Sequence, residues 1–339
     1  MPTPDGPRSP LGAAPTIYDV ARLAGVNPST VSRALNSPGR VNAKTEARVR
    51  EAAEELRYRT NPLARALQSG RTNALGLILL DITNPIIAGI MRGTQLIAEH
   101  GYTLILGESQ NSGAVERVAA EKMLPSVDGL ILAATRLQDA DLAELNQQRP
   151  LVLINREVPG VASIHGPVEP GFDEAVAHLH LLGHRRIVYL SGPKDAWMSR
   201  QRTEILQEVG ARRGVEIEVV GPNEPTLENG MRALTTLVAH DATAAITYND
   251  MMAIGLLQAA RKQGLEVPRD LSIIGFDDIF GSDFTCPPLT TIRVPATHLG
   301  ELAVRRLLSI IEGTEPPSDD DAPATSLIVR ESTGRPRSR

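Results

Sequence analysis

The sequence predicts a small all-α head followed by a larger α/β body of two lobes, each with a doubly wound parallel sheet. The head is predicted because short apolar helical stretches between residues 16 and 60 are separated by Gly and Pro. The body is predicted because, from residue 73 onward, short apolar runs alternate with helical stretches. Such runs are typical of buried parallel strands joined by helical crossovers.

The first helix of the head is predicted to begin after Thr16. Thr16 and Asp19 have the spacing of a capping box, with Asp in place of Glu or Gln. The apolar residues that follow share one helix face: Ile17, Val20, Ala21 and Ala24. Gly25 comes next and accepts the left-handed conformation that ends many helices.

The second helix is predicted to start with Asn27 as its cap and Pro28 at its first position, where a missing N–H is no loss. Its outward residues are small or polar: Ser29, Thr30, Ser32 and Arg33. Two short helices with a Gly-containing turn fit a helix-turn-helix, whose second helix enters the DNA major groove. Arg33 carries the donor fork that bonds guanine, a contact worth ~1–3 kcal/mol of discrimination. The spacing alone fits a helical hairpin with a solvated polar face equally well.

A third helix and a short fourth one complete the head. Asn42 is the predicted cap of the third helix, whose buried face consists of Val49, Ala52, Ala53 and Leu56. Asn61 and Pro62 begin the fourth helix, which ends before Gly70. A helix this short is marginal alone, since isolated helices below ~12–15 residues rarely hold in water. It therefore needs another element to pack against, and a helix that is stable only under that condition can act as a switch.

The charge is divided unequally between head and body. The first 71 residues hold 11 Lys or Arg and 6 Asp or Glu, a net charge of +5, within a chain of net charge −5, so the remainder carries −10. A basic head on an acidic body is typical of a module that binds a polyanion such as DNA.

Composition excludes several other classes. Cys286 is the only cysteine, so no internal disulfide forms. No apolar run reaches the ~18 residues of a membrane span, and the Pro- and Gly-containing segment 1–15 lacks a secretory apolar region. We therefore predict a disordered extension over residues 1–15, no membrane partner and a cytoplasmic location.

The head resembles the LacI family of transcriptional regulators. The resemblance rests on IYDVARLAGV, then STVSRALN, then the helix from VNAKTEARV to LRY, then NPLARALQSG. It implies that two subunits read a near-palindromic double-stranded operator, with recognition helices in the major groove and paired hinge helices in the minor groove. It implies Pro28, Ser29 and Arg33 as base-reading residues, Ala64 as a hinge contact and Leu67 as the wedge at the central base step. Thr30 and Ser32 are further candidates because their hydroxyls can bond phosphate or bases, and Asn61 is a candidate at the start of the hinge helix. Pro28 departs from the family pattern because its side chain cannot donate a hydrogen bond.

The body reads as two rounds of alternating strands and helices. The strands are predicted over 74–80, 102–108, 128–134, 151–155, 187–192, 215–220, 244–248, 271–276 and 326–330. The helices are predicted near 86–99, 114–124, 139–148, 171–182, 199–213, 226–240, 251–263 and 296–312. These strands are too many for one small sheet, so two similar subdomains are predicted.

The family resemblance continues through the body and implies the two-lobed fold shared with periplasmic sugar-binding proteins. It implies three crossings between lobes, near 163–166, 291–294 and 324–327. The expected divisions are a helix-turn-helix domain at 16–60, a hinge helix and linker at 61–72, and a core at 73–335. Within the core, the N-lobe is expected at about 73–164 and 294–325, and the C-lobe at about 165–292 and 326–335. The effector is expected in the cleft between the lobes.

Candidate effector residues follow the predicted strands. By resemblance, Arg202, Asn249 and Asp277 align with effector-contacting positions, and their donors and acceptors suit a ring of hydroxyls. Trp197 is a fourth candidate, since an aromatic ring can stack on a sugar face. Each has an alternative: Asn249 or Asp250 can cap the next helix, Asp277 can be a turn residue, and Trp197 can be an ordinary loop aromatic.

Departures from the family pattern limit any guess at the effector. Ile86 and Ile87 stand where many sugar-responsive members carry aromatics, so that wall of the cleft offers no stacking. Pro167 and Val168 replace the usual polar pair before Gly171.

Enzyme and metal chemistry find no support in the sequence. The phosphate loop, nucleophile elbow and zinc-protease motifs are absent. His178, His180 and His184 resemble a metal cluster, but positions i and i+2 face opposite ways on a helix, so we expect helix-surface and turn residues.

No heptad repeat follows the last strand, so a coiled coil that would join two dimers into a tetramer is not predicted, and a homodimer is expected. The reading is a sugar-responsive repressor without a cofactor; the alternatives are a solute-binding protein and a regulator of a non-sugar metabolite.

Overall fold

The computed structural model describes residues 15–36, 39–58, 70–95, 97, 100–318 and 322–337. Within it the chain divides into two compact units, Met1–Thr72 and Asn73–Arg339. Asn61, Ala64 and Leu67 lie outside the described residues, as does nearly all of the predicted extension.

The head contains three described helices, α1 (Ile17–Ala24), α2 (Pro28–Asn36) and α3 (Ala43–Glu55). Two of the predicted caps, Thr16 and Asn42, are confirmed. The Thr16–Asp19 capping box is present, and the Asn42 side chain accepts a hydrogen bond from the Thr45 N–H. Gly25 is left-handed at φ 64° and ends α1 as predicted.

The three helices of the head surround one small apolar core. Val20, Val31 and Val49 are fully buried, one from each helix. The residues packed with them are mostly alanines, which allow short helices to approach closely. The core therefore fixes which face of α2 points outward.

The core unit contains two sheets. The helices after the head are α4 (Ile86–Gly93), α5 (Gly113–Met123), α6 (Asp139–Gln148), α7 (Glu169–Leu182), α8 (Trp197–Arg213), α9 (Leu227–Ala239), α10 (Asp250–Lys262) and α11 (Ala296–Glu312). The N-lobe strands are β1 (Ala74–Leu79), β2 (Thr103–Glu108), β3 (Gly129–Ala133), β4 (Leu151–Ile154) and β5 (Ala162–Ile164), in the order β2-β1-β3-β4-β5. The C-lobe strands are β6 (Arg186–Leu190), β7 (Glu216–Val220), β8 (Ala244–Thr247), β9 (Ser272–Asp277), β10 (Thr290–Arg293) and β11 (Ser326–Ile328), in the order β11-β10-β9-β8-β6-β7.

Two features of these sheets differ from the sequence-based expectation. Segments 162–164 and 290–293 form strands, β5 at the edge of the N-lobe sheet and β10 between β9 and β11, whereas only lobe crossings were predicted there. β11 pairs antiparallel with β10, so the C-lobe sheet is not purely parallel. The reason is the path of the chain: β10 leads toward α11, which packs on the N-lobe strands, and β11 returns from it in the opposite direction.

The histidines of the HLHLLGH segment also differ from expectation. His184 is buried, where a turn residue was predicted, and its ring contacts the Thr243 hydroxyl at 2.9 Å and the Gly334 carbonyl at 3.0 Å. His178 contacts the Thr333 hydroxyl at 2.8 Å. These rings hold the C-terminal segment against the C-lobe. Among the described residues there is no group of three or more metal-ligating side chains.

Helices α4 and α11 cross closely because glycines meet at their contact. A Cβ on Gly93 would lie 1.9 Å from the Thr297 carbonyl oxygen, and one on Gly300 would lie 2.3 Å from the Ile90 carbonyl oxygen. Both helices supply apolar residues to the N-lobe core. This crossing therefore positions the N-lobe wall of the cleft described below.

The first prediction concerns this crossing. Gly93→Ala is expected to lower the free energy of unfolding by ~1–3 kcal/mol, because the added carbon forces the two helices apart. Urea unfolding followed by circular dichroism measures it. Ala88→Ser, on the exposed side of α4, is the matched control and should change stability by less than ~0.5 kcal/mol. Equal stability of Gly93→Ala and the wild type would contradict the close crossing.

No helix among the described residues is long and apolar enough to span a bilayer.

Candidate effector cleft and DNA-reading face

The candidate DNA-reading face lies on α2. Ser29 and Arg33 are exposed there, while Pro28, Thr30 and Ser32 are half-buried. The opposite face carries Val31 and Ala34, which are buried in the head core and hold α2 in place. All five candidates on this helix therefore lie away from the apolar core.

The cations of the head differ in whether they are paired. Arg22 and Arg50 are paired with acidic neighbours on their own helices, at 3.3 Å to Asp19 and 2.8 Å to Glu46. Among the described residues, the exposed side chains of Arg33 and Lys44 form no ion pair. They are available to phosphates and base edges, and Lys44 lies in the first turn of α3, where the helix dipole also favours an anion.

The candidate effector cleft lies between the lobes of the core. The space between its walls, together with the open solvent at its mouth, amounts to about 890 Å³. Its N-lobe side is largely apolar and includes Ile86, Ile87 and Ile90 of α4. Its polar side chains come from both lobes: Asp81, Asn84, Asn111, Arg136 and Asn155 from the N-lobe, and Arg202, Asn249 and Asp277 from the C-lobe. One cavity thus offers an apolar wall and a set of convergent polar groups, as ligand sites commonly do.

Arg202 is a buried cation in this cleft, 6% exposed. Its Nη1 donates to the Tyr248 carbonyl oxygen at 2.7 Å, and its guanidinium stacks over the Phe276 ring, 3.7 Å from the centroid. Within the described part of the chain its Nε has no hydrogen-bond partner. The aromatic stack fixes the plane of the guanidinium, and Nε remains as an unused donor.

Asp277 ends β9 and turns into the cleft with φ 118°, a conformation that is strained for a residue with a side chain. Burial raises the pKa of its carboxyl to about 8, Arg202 opposes the shift, and Asp250 adds to it. A carboxyl with this pKa is mostly protonated near neutral pH. It can then donate one hydrogen bond and accept others, which suits a hydroxyl-bearing ligand.

The second prediction follows from this pKa. Because the pKa of Asp277 in the folded chain lies above its ordinary value of 3.8, the folded chain holds this proton more tightly, and the free energy of unfolding falls as pH rises from 3.8 to about 8. Asp277→Asn has a neutral side chain at every pH. The free energy of unfolding of this variant should therefore lack the decrease of ~1.4 kcal/mol per pH unit that Asp277 causes in the wild type over this pH range. Urea unfolding between pH 6.5 and 8 is the test.

The pH range from 6.5 to 8 separates the titration of Asp277 from that of Asp250, His178 and His184. Burial raises the pKa of Asp250 to about 6. Its titration also lowers the free energy of unfolding as pH rises, but it is largely complete below pH 6.5. Burial lowers the pKa of His178 and His184 below 6.5. Their titration therefore raises the free energy of unfolding as pH rises, and this effect ends near pH 6.5. If Asp277→Asn and the wild type have equal pH slopes, Asp277 is ionised in the folded state.

Asn249 serves two purposes. Its Oδ1 accepts from the Met252 N–H at 3.0 Å and so caps α10, the alternative raised by the sequence. Its Nδ2 donates to the Pro225 carbonyl oxygen at 3.3 Å, which leaves one N–H of the amide for another acceptor. Asp250 is not the cap; its carboxylate is buried and accepts hydrogen bonds from Ser282, Thr291 and the Ile279 N–H.

Trp197 does not line the main cleft with the other three candidates. It is the first residue of α8 and lines a smaller, narrow pocket that shares Arg136, Asn155 and Tyr248 with the main cleft. Its ring is half-buried, with its centroid 5.8 Å from that of His165. The structure therefore brings Arg202, Asn249 and Asp277 together and places Trp197 beside them.

Sequence motifs and fold agree with a known group of proteins. Residues 16–61 match the family described as bacterial regulatory proteins, lacI family, and residues 176–333 match the periplasmic binding protein-like domain. The chain is 33% identical over 329 residues to the HTH-type transcriptional repressor CytR of Escherichia coli K12, covering 94% of this chain and 96% of the relative. The chain belongs to the LacI family.

Other relatives of this LacI-family chain agree in length and function. The ribose operon repressor of Escherichia coli K12 is 35% identical, with 86% of this chain and 92% of the relative covered. The structure of the lac repressor dimer bound to operator and the anti-inducer ONPF superposes with a TM-score of 0.83 at 27% identity, covering 95% of this chain and 100% of that one. A CelR–cellobiose complex superposes with a TM-score of 0.67 at 28% identity, covering 94% and 99%.

These comparisons confirm the predicted fold class, an all-α helix-turn-helix head with a two-lobed periplasmic-binding-protein-like core. They also confirm that this LacI-family chain is a DNA-binding transcriptional regulator rather than an enzyme.

Proposed function

We propose that this regulator represses transcription as a homodimer on a near-palindromic operator and is controlled by a carbohydrate or carbohydrate derivative bound between its lobes. The observation that carries the effector site is the meeting of Arg202, Asn249 and Asp277 in one cleft with unused polar capacity. The similarity to the ribose operon repressor and to the CelR–cellobiose complex supports a carbohydrate effector.

In this proposal the DNA contacts are those of α2, namely Pro28, Ser29, Thr30, Ser32 and Arg33, together with Asn61, Ala64 and Leu67 of the hinge. The hinge residues rest on the sequence motif alone. The proposed divisions are 16–60 for the helix-turn-helix domain, 61–72 for the hinge and 73–335 for the core. Trp197 is proposed as an outer contact of the effector, through the pocket that adjoins the cleft.

The proposed control is a population shift. An effector changes operator affinity only by binding the two lobe arrangements with different affinities, and such couplings are commonly ~1–3 kcal/mol. In this proposal the segment 61–72, which the sequence predicts as a short and marginal helix, is the element that forms or melts in response.

The test of this function is a truncation. The full chain and a chain lacking residues 1–72 are screened by thermal shift against pentoses, hexoses, their phosphates and acids, and nucleosides. Because the core is a compact unit of its own, both chains should be stabilised by the same compound, by ~2.7 kcal/mol at 100 times its Kd. Only the full chain should enrich a palindrome from random double-stranded DNA. A truncated chain that still selects this sequence would contradict the assignment of the head.

A further inference from the structure

A second buried guanidinium faces the cleft from the opposite lobe. Arg136 follows β3, and its side chain is only 5% exposed. Its Nη1 is buried and has no hydrogen bond to any described residue. It lines both the main cleft and the adjoining pocket.

The turn that carries Arg136 is held firmly. Its backbone N–H donates to Oε2 of Glu116 at 2.9 Å, and Glu116 is itself 1% exposed on α5. Burial raises the pKa of Glu116, and its hydrogen bonds to Thr135 and Arg136 oppose the shift. Ala134 adopts φ 53° at the start of the turn. Glu116 therefore anchors the backbone of the turn from which the Arg136 side chain reaches the cleft.

The charges near Arg136 do not satisfy it. Asp195, in the C-lobe loop before α8, places Oδ1 3.6 Å from Nη1, beyond hydrogen-bond distance, and its side chain is 73% exposed. The cleft also contains Asp81, whose Oδ1 accepts from the Thr83 N–H at 2.8 Å and from its hydroxyl at 2.6 Å. Nearby Arg156, by contrast, bonds Asp139 directly. Arg136 thus has two acidic neighbours, the buried Glu116, which bonds its backbone N–H, and the loose, exposed Asp195, but its buried Nη1 has no hydrogen bond to any described residue.

The two guanidiniums of the cleft share a chemical preference. Arg136 and Arg202 each keep a buried N–H without a hydrogen bond among the described residues, and a guanidinium donates but never accepts. A neutral hydroxyl satisfies such a donor weakly, whereas a phosphate or carboxylate matches its planar fork with two charge-assisted hydrogen bonds.

We propose that the effector carries an anionic oxyacid group, a phosphate or a carboxylate, and that Arg136 binds this group and determines specificity for it. This inference rests on the proposed function, because it names the chemistry of the ligand in the same cleft. The anion replaces Asp195 as the partner of Arg136 and thereby breaks an ion pair that joins the two lobes. Recognition of charge and change of lobe arrangement are then one event.

The experiment compares charged compounds with their neutral parents by isothermal titration calorimetry on the full-length protein. The probes are aldose and ketose phosphates, uronates and aldonates, each beside its neutral sugar, with inorganic phosphate measured separately. The charged member of at least one pair should bind about 10- to 100-fold more tightly than its parent, the range of charge-assisted hydrogen bonds. The phosphate and acid arms identify which oxyacid is preferred.

Three variants assign the effect to Arg136. Arg136→Gln should bring the charged compound within about twofold of the neutral parent. Asp195→Asn should tighten the charged compound by about threefold or more, because its competitor for Arg136 is neutralised. Arg156→Gln, whose guanidinium is paired with Asp139, is the matched control and should leave both affinities unchanged.

The outcomes separate this inference from the proposed function. Binding of a neutral sugar that Arg136→Gln leaves unchanged, with no gain for any charged derivative, overturns the inference and leaves the carbohydrate effector standing. If only inorganic phosphate binds, and Arg136→Gln does not weaken it, the site holds an adventitious ion only and the inference fails. If no member of the panel binds, both the inference and the carbohydrate effector are rejected.

Discussion

Arg202→Met is expected to abolish the effector response while leaving operator binding intact. Methionine keeps an unbranched apolar side chain but removes the guanidinium that stacks over Phe276, and with it the charge and every N–H that Arg202 presents to the cleft. Loss of charge-assisted hydrogen bonds to a buried ligand should weaken effector binding by about 100-fold or more. Because the head is a separate compact unit, operator affinity without effector should stay within about twofold of the wild type.

Calorimetry and a DNA-binding titration measure the two halves of this prediction. Arg200→Met is the matched control, since Arg200 lies on the same helix but is exposed, and its effector response should be unaltered. Removing the cation next to Asp277 drives the pKa of that carboxyl further upward. Asp277 therefore stays neutral at pH 7, and the variant should remain folded. A full response at the wild-type effector concentration would exclude Arg202 as the anchor.

Arg33→Ala is expected to remove most of the sequence-specific part of DNA binding. A bidentate contact of arginine to guanine contributes ~1–3 kcal/mol of discrimination, and a homodimer makes it twice, so specific affinity should fall by roughly 30-fold to 10⁴-fold. Non-specific affinity should change far less, because only one phosphate-attracting charge per subunit is lost. Arg33 is exposed on α2, so its loss should not unfold the head.

Competition binding against random DNA separates these contributions. The selected operator and a scrambled duplex of equal length are titrated at one salt concentration, because affinities at different salt cannot be compared. Arg22→Ala on α1 is the control: this exposed arginine is already paired with Asp19, and the ratio of specific to non-specific affinity should hardly change. An unchanged ratio in Arg33→Ala would mean that α2 reads the operator through other side chains.

Local signals explain why the head was predictable from sequence. Thr16, Gly25 and Asn42 act through hydrogen bonds and backbone conformations within a few residues, and each is found in the predicted place. The strands of the body were equally readable where they are continuous apolar runs. β5 and β10 were not, because they contain three and four residues and include polar side chains that give no periodic signal.

The parts of the cleft that were missed depend on distant contacts. Arg136 follows a strand as the recognised candidates do, but the turn that carries it is anchored by Glu116, twenty residues earlier in the chain. The pKa of Asp277 depends on burial and on Arg202 and Asp250, none of which a spacing rule measures. A residue's type was visible in the sequence, whereas its lack of a partner is a property of the folded chain.

The most direct test of the account is the operator affinity of the full-length protein with and without the compound that stabilises its core. We predict a change of at least about fivefold in operator Kd at saturating compound, equal to the change that the operator causes in the Kd of the compound, since coupling is reciprocal. The change should disappear in Arg202→Met. A compound that binds the cleft tightly and leaves operator Kd unaltered would contradict the proposal that this cleft controls the DNA-reading head.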